Sequence, residues 1–144
     1  MKLTVSRITI WAARVPDRPA GLADVLAPLK HAGADLEFIL ARRAPESPGT
    51  GVVFLAPLKG AKQHRAAQEA GFFRTDSLHA VRVEGPNRKG LAHTIASTIA
   101  RAQINLRGFS TSTIGRKLVA YLAVDDLDDA TRTMSVLRRL AKAD

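Results

Sequence analysis

The sequence predicts an α+β protein of two tandem βαββαβ units, each with an antiparallel sheet covered on one face by helices. The first observation is an internal repeat: a slide of 70 residues aligns "VPDRPAGLADVL" (15–26) with "GPNRKGLAHTI" (85–95) without a gap. The second is that strand-like and helix-like patterns follow in the same order in both copies. Repetition at a fixed period indicates duplicated supersecondary units. We expect a first domain at residues 1–76 and a second at 77–144.

In the first copy, alternating β-branched and polar residues predict a strand over 3–14. Apolar residues at helical spacing predict an amphipathic helix over 19–32, ending before Gly33, although Pro28 should bend it. A hairpin is predicted next, because the turn residues of "APESPGTG" separate two apolar runs. The remaining elements are strands at 34–44 and 52–58 and a helix at 61–71.

The second copy repeats this order. It is predicted to have strands at 78–84, 104–112 and 117–124 and helices at 88–102 and 127–142. Asp126 and Asp129 are expected to form an acidic cap on the last helix. The order is that of a ferredoxin-like fold, but no strand follows the last helix. The segment "FFRTDSLHAVRVE" (72–84) is therefore expected to finish the first sheet and to start the second.

Composition excludes several classes of function. With 46% hydrophobic and 24% charged residues, the chain resembles a globular protein, and no apolar run approaches the roughly 20 residues that span a bilayer. The chain has no cysteine, and no two of its four histidines have helical metal-ligand spacing, so we expect neither a metal site nor a cofactor. No phosphate-binding loop or nucleophile elbow is present, so we expect no catalysis. The start "MKLTVSRIT" has no secretory pattern, and a cytoplasmic location is expected.

A net charge of +9 favours an anionic partner. The charge is spread along the chain: residues 1–74 hold 11 Lys and Arg against 6 Asp and Glu, and residues 75–144 hold 11 against 7. The net positive charge can therefore also be explained by arginines that are scattered over a solvated surface and bind no partner. A basic ferredoxin-like protein that binds nucleic acid is the alternative function, although the aromatic signature of RNA-recognition sheets is missing.

The residues at the two strand-to-helix junctions resemble those of ACT domains. "DRPAGL" and "NRKGLA" are similar to the family's first signature segment, and "AGADLEFI" and "AQINLRGF" are similar to its second. The resemblance covers nearly the whole chain. It implies a non-catalytic regulatory module that binds an amino acid between paired domains, which implies a homodimer and a regulated protein partner.

The resemblance also implies a set of ligand-binding residues. A helix start suits a carboxylate, glycine allows close approach to the backbone, and asparagine offers both a donor and an acceptor. The candidates of the second copy are Asn87, Arg88, Gly90, Leu91, Ile104 and Asn105. Those of the first copy are Asp17, Gly21, Leu22 and Asp35.

The two sets should not be equivalent, because Asp17 and Asp35 replace amides with carboxylates, which would favour a cationic group or no ligand. Structural roles stay open. Asp17 and Asn87 could be helix N-caps, Asn105 a turn residue, and Gly90 a packing position.

Overall fold

The computed structural model describes residues 1–75 and 78–143. The chain forms two compact units, one of Thr9–Thr75 and one of Met1–Ile8 together with the described residues from 78 onward. In chain order the elements are β1 (Thr4–Ile8), β2 (Trp11–Pro16), α1 (Gly21–His31), β3 (Phe38–Arg43), β4 (Thr50–Ala56), α2 (Gly60–Glu69), β5 (Phe73–Arg74), β6 (His79–Pro86), α3 (Leu91–Arg101), β7 (Leu106–Ile114), β8 (Lys117–Val124) and α4 (Leu127–Lys142). This arrangement confirms the predicted fold class of two ferredoxin-like units.

The first unit, Thr9–Thr75, has an antiparallel sheet in the order β3-β4-β2-β5. Alternate residues of the central strands point into its core, where Val53 and Leu55 are fully buried. Leu29 of α1 and Ala67 of α2 close the core from the helical side. The sheet and the two helices therefore share one apolar layer.

The second unit has the order β1-β6-β8-β7, in which β1 takes the edge place that β5 has in the first unit. Val5 of β1 pairs opposite Val83 of β6, and both belong to a core that includes Ile95 of α3 and Leu137 of α4. The strand that appeared to be missing after α4 is thus supplied by the beginning of the chain.

This use of β1 differs from the sequence prediction. The single strand expected over 3–14 is two strands, β1 and β2, which belong to different sheets. The alternation from Ile8 to Ile10 crosses the end of β1, so periodicity does not mark the change of sheet. As a result, Met1–Ile8 lies in the second unit and not in the 1–76 domain expected from the repeat.

Within the segment 72–84, β5 completes the first sheet by pairing with β2, as predicted, and β6 belongs to the second sheet. The second sheet does not start at β6, however, because β1 precedes it in the chain. Residues 76 and 77 of that segment lie outside the described residues. Two helices begin later than predicted, α1 at Gly21 and α3 at Leu91. The residues before them form turns, and α1 continues through Pro28 to His31.

Candidate functional site

The second corner, Pro86–Leu91, joins β6 to α3. The backbone N–H of Asn87 donates to the carbonyl of Arg116 at 2.8 Å, and its side-chain Nδ2 reaches the carbonyl of Gly115 at 3.5 Å. Both acceptors belong to the β7–β8 turn, so Asn87 ties the corner to that turn. Gly90 precedes α3 with a φ of 78°, and no side chain caps the helix. The N-cap role considered for Asn87 is therefore wrong, because the left-handed Gly90 holds that position.

A cavity of about 360 Å³ lies beside this corner. Arg88, Lys89 and Thr94 contribute polar or charged groups, and the Thr94 hydroxyl donates to the carbonyl of Gly90 at 3.1 Å. Leu91, Met1, Leu140 and Ala143 complete the lining. The two cations and the start of α3 all favour a negatively charged group. The cavity is within the size range of small-molecule sites.

The other two candidates of the second unit, Ile104 and Asn105, lie at the far end of the same sheet. They precede β7, whose first residue, Leu106, pairs with Val124, while the second corner adjoins the opposite end of β8 at Lys117. The seven residue steps along β8 correspond to about 23 Å at roughly 3.3 Å per residue. Ile104 is buried and Asn105 is exposed. One small ligand cannot touch Asn87 and Asn105 of the same unit.

The first corner, Pro16–Gly21, has the same backbone path but different polar contacts. The N–H of Asp17 donates to the carbonyl of Gly49, in the β3–β4 turn, at 3.1 Å. Its Oδ2 accepts a hydrogen bond from Arg43 Nε at 3.0 Å. Asp17 therefore already has a cationic partner from its own unit, and it is not an N-cap either.

Ala20, not the following glycine, corresponds in conformation to Gly90. Ala20 has a φ of 69° and holds the N-cap position of α1. A Cβ added to Gly21 would lie 2.3 Å from the carbonyl oxygen of Pro16, so Gly21 permits close packing of α1 against the end of β2. Of the other first-copy candidates, Leu22 and Asp35 are exposed. In the first unit, too, Asp17 and Asp35 lie at opposite ends of the sheet.

Sequence reasoning missed a charged network on the second sheet. Arg82 and Glu84 alternate with the buried Val81 and Val83, so they lie on the sheet face opposite the core. Glu84 accepts from Lys117 Nζ at 2.9 Å and from Arg82 Nη1 at 3.2 Å. Arg82 and Glu84 are neighbours on one face of β6, but the contact with Lys117 depends on the pairing of β6 with β8, which no local pattern reveals.

The network shifts two pKa values. The hydrogen bond from Lys117 lowers the pKa of the Glu84 carboxyl below its ordinary value, and the one from Arg82 lowers it further. Burial lowers the pKa of the Arg82 guanidinium, but hydrogen bonds with Tyr121 and Glu84 outweigh burial and leave that pKa above its ordinary value. The network therefore favours both charged forms at neutral pH.

The start of α4 confirms the predicted acidic cap, since the backbone N–H of Asp129 donates to Asp126 Oδ1 at 2.7 Å. Together with Asp128, these residues place three carboxylates within 4.8 Å of one another. The positive partial charge at a helix start accounts for acidic residues at this position.

The fold and its two corners define a double ferredoxin-like protein. Residues 79–143, in the second unit, match the ACT domain. The match does not extend to the first unit. No curated protein matches the chain.

Several solved structures share this fold at low sequence identity. Protein BT0572 from Bacteroides thetaiotaomicron is 10% identical with a TM-score of 0.77, over 93% of this chain and 90% of that one. The ligand-free regulatory subunit of aspartate kinase from Thermus thermophilus is 13% identical with a TM-score of 0.65, over 96% of both chains. The corresponding subunit from Thermus flavus is 16% identical with a TM-score of 0.60, again over 96% of both.

None of the helices in the described part of the chain has the length and apolar character needed to span a bilayer. The nucleic-acid alternative gains no support from the matched family or from the similar structures.

Proposed function

We propose that this protein is a cytoplasmic, non-catalytic regulatory module of two ACT-like domains that binds a small amino acid or a related carboxylate. Support comes from the match of residues 79–143 to the ACT domain and from similar structures described as regulatory subunits of aspartate kinase. The first unit, Thr9–Thr75, is proposed to be ACT-like because it repeats the strand order and the corner of the second.

The observation that carries the proposal is the cavity at the second corner. Arg88 and Lys89 border it, α3 starts there, and Gly90 leaves the backbone uncovered, since a Cβ at Gly90 would meet no atom within 4 Å. A carboxylate bound there would receive charge-assisted hydrogen bonds from cations and from N–H groups at the helix start. The first corner is proposed to bind a ligand weakly or not at all, because the carboxylate of Asp17 already forms an ion pair with Arg43.

The proposal includes a homodimer. Asn87 and Asn105 of one unit are too far apart for one small ligand, whereas two copies of the chain could bring the second corner of one protomer to the Asn105 segment of its partner. Asn105 directly precedes β7, which is an edge strand of its sheet and is open to such an approach. A regulated protein partner would then bind differently to the liganded and the unliganded dimer.

A thermal-shift screen against amino acids and short carboxylates tests the ligand. A ligand at 100 times its dissociation constant should stabilise the protein by about 2.7 kcal/mol. Arg88→Gln and Asn105→Ala should each abolish most of the shift, whereas Arg18→Gln at the equivalent place in the first corner should retain it. The absence of any shift, or an unchanged shift in Asn105→Ala, would contradict the proposed site.

The molar mass in solution tests the assembly. Light scattering at micromolar protein should give twice the mass of the 15.5 kDa chain. A monomer that still binds the ligand would overturn the homodimer while leaving amino-acid binding intact.

A further inference from the structure

Both units contain a groove between their two helices, and the grooves occupy equivalent places. Each residue that lines the second groove, between α3 and α4, lies 70 positions after a residue that lines the first, between α1 and α2. The groove volumes are similar, about 540 Å³ in the first unit and 500 Å³ in the second. Ala32 and Ala102, at the ends of α1 and α3, are small residues that help to leave this space open.

The chemistry of the two grooves has diverged. The first groove mixes signs, because Glu69 lies with Lys62 and Arg65. The second has an arginine, Arg139, at the place of Glu69, and its other charged residues are Arg101 and Arg132. Thr98 and Ser135 add hydroxyl groups, and no carboxylate lines this groove.

The three arginines of the second groove differ in the hydrogen bonds that they make within the protein. Arg132 donates to Asp129 Oδ1 at 3.3 Å and also to the carbonyl of Ala102, so it joins α4 to the end of α3. Arg101 only approaches the hydroxyl of Thr98, at 3.5 Å. Among the described residues, neither Arg101 nor Arg139 has a carboxylate within 4 Å, and both side chains are exposed. In the described part of the chain, two guanidinium groups thus border one groove without forming an ion pair of their own.

This arrangement suits a phosphoryl group better than a single carboxylate. A phosphoryl group has about two negative charges and three acceptor oxygens, and the planar fork of arginine donates to two such oxygens at once. The hydroxyl of Ser135 can supply a further donor. A compact dianion would also relieve the repulsion between the two arginines.

We propose that the groove between α3 and α4 binds a phosphate-bearing small molecule through Arg101 and Arg139, with Ser135 as an additional donor. Arg132 is a positioning residue that holds the end of α3 against α4. The site is separate from the second corner and does not depend on amino-acid binding there.

Isothermal titration with pyrophosphate and with inorganic phosphate, at an ionic strength held constant with sodium chloride, tests the site. The wild type should bind pyrophosphate at least tenfold more tightly than Arg101→Gln/Arg139→Gln. The matched control Lys62→Gln/Arg65→Gln removes two charges from the equivalent first groove and should bind like the wild type. Equal affinity in all three proteins, or an equal loss in both double variants, would overturn the proposal.

Two further measurements keep the test specific. Arg101→Lys/Arg139→Lys retains both charges but removes the planar guanidinium groups that donate to two oxygens at once, so it should bind pyrophosphate more weakly than the wild type. This variant provides a test that remains valid if the glutamine variant folds poorly. Wild-type affinity in the lysine variant would overturn the role of the forks. A single-stranded oligonucleotide distinguishes the source of the phosphate: if it binds through Arg101 and Arg139 while pyrophosphate does not, the small-molecule assignment is wrong.

Discussion

Ala20 and Gly90 show how one residue distinguishes the two corners. Both precede a helix with a left-handed backbone, with φ values of 69° and 78°. This conformation costs an L-residue roughly 1–2 kcal/mol, whereas glycine adopts it freely. The first corner therefore retains the shape of the second at the expense of local strain.

Exchanging the two residue types should remove backbone strain from the first corner and introduce it at the second. Ala20→Gly should stabilise the first unit by about 0.5–1 kcal/mol, and Gly90→Ala should destabilise the second by about 1 kcal/mol. Urea titration followed by the fluorescence of Trp11 reports the first unit, and amide exchange at the buried Ile95 reports the second. Changes of the same sign in the two variants would contradict the equivalence of the two positions.

Glu84 makes the stability of the second unit depend on pH. Its pKa is lowered in the folded state, so its ion pairs contribute stability above the unfolded-state pKa, and this contribution is lost as the pH falls through the folded-state value. Glu84→Gln should therefore be less stable than the wild type at neutral pH. The difference should shrink as the pH falls below the unfolded-state pKa of Glu84 and then through the lower folded-state pKa.

Urea titrations across this pH range measure the effect. Glu46→Gln, which changes an exposed carboxylate in the β3–β4 turn, is the matched control and should follow the wild-type pH profile. A difference between Glu84→Gln and the wild type that stays constant at every pH would show that the ion pairs do not cause the pH dependence.

At the scale of elements, β1 is the feature that changes the domain organisation. All the strands of the first sheet lie between β1 and β6 in the sequence. Nevertheless, β1 pairs with β6 along its whole length, from Thr4 opposite Glu84 to Ile8 opposite Ala80. In the sheet of the second unit, β1 is the edge strand beside β6. The buried Val5 connects β1 to the core of the second unit.

Val5→Ala should weaken the second unit by roughly 1–3 kcal/mol, since it removes buried methyl groups. Hydrogen exchange should become faster at Val81 and Val83 in β6, while Val53 and Leu55 in β4 keep their protection. The reciprocal variant Val15→Ala, in the core of the first unit, should show the opposite pattern. An equal loss of protection in both sheets after Val5→Ala would contradict the assignment of β1 to the second unit.

At the scale of the whole molecule, the proposed amino-acid site depends on assembly. The sheet separates Asn87 from Asn105 within a unit, so a ligand that touches both must lie between two protomers. The two corners differ in structure, because Asp17 pairs with Arg43 in one corner while a cavity bordered by Arg88 and Lys89 lies at the other.

A complementation experiment tests the shared site. Asn87→Ala and Asn105→Ala homodimers should each fail to bind the amino acid found in the screen. A mixture that is allowed to exchange subunits should recover one intact site per heterodimer, with Asn87 from one protomer and Asn105 from the other. Binding that stays lost in a verified heterodimer would exclude a site formed in this way.

The sequence alone determined the duplication, the order of elements and the two corner motifs. Helical and strand periodicity, turn residues and a helix cap such as that of Asp126 and Asp129 arise from interactions between residues close in the chain, so a local pattern reveals them.

Only the tertiary structure decided that β1 belongs to the second unit and that Asn87 and Asn105 lie at opposite ends of a sheet. It also decided that Arg43 forms an ion pair with Asp17 and that arginines from two helices border one groove. Each of these depends on which remote segments pair or pack together. That choice is made by burial of the complete core and by strand register, which the local sequence of residues 3–14 does not reveal.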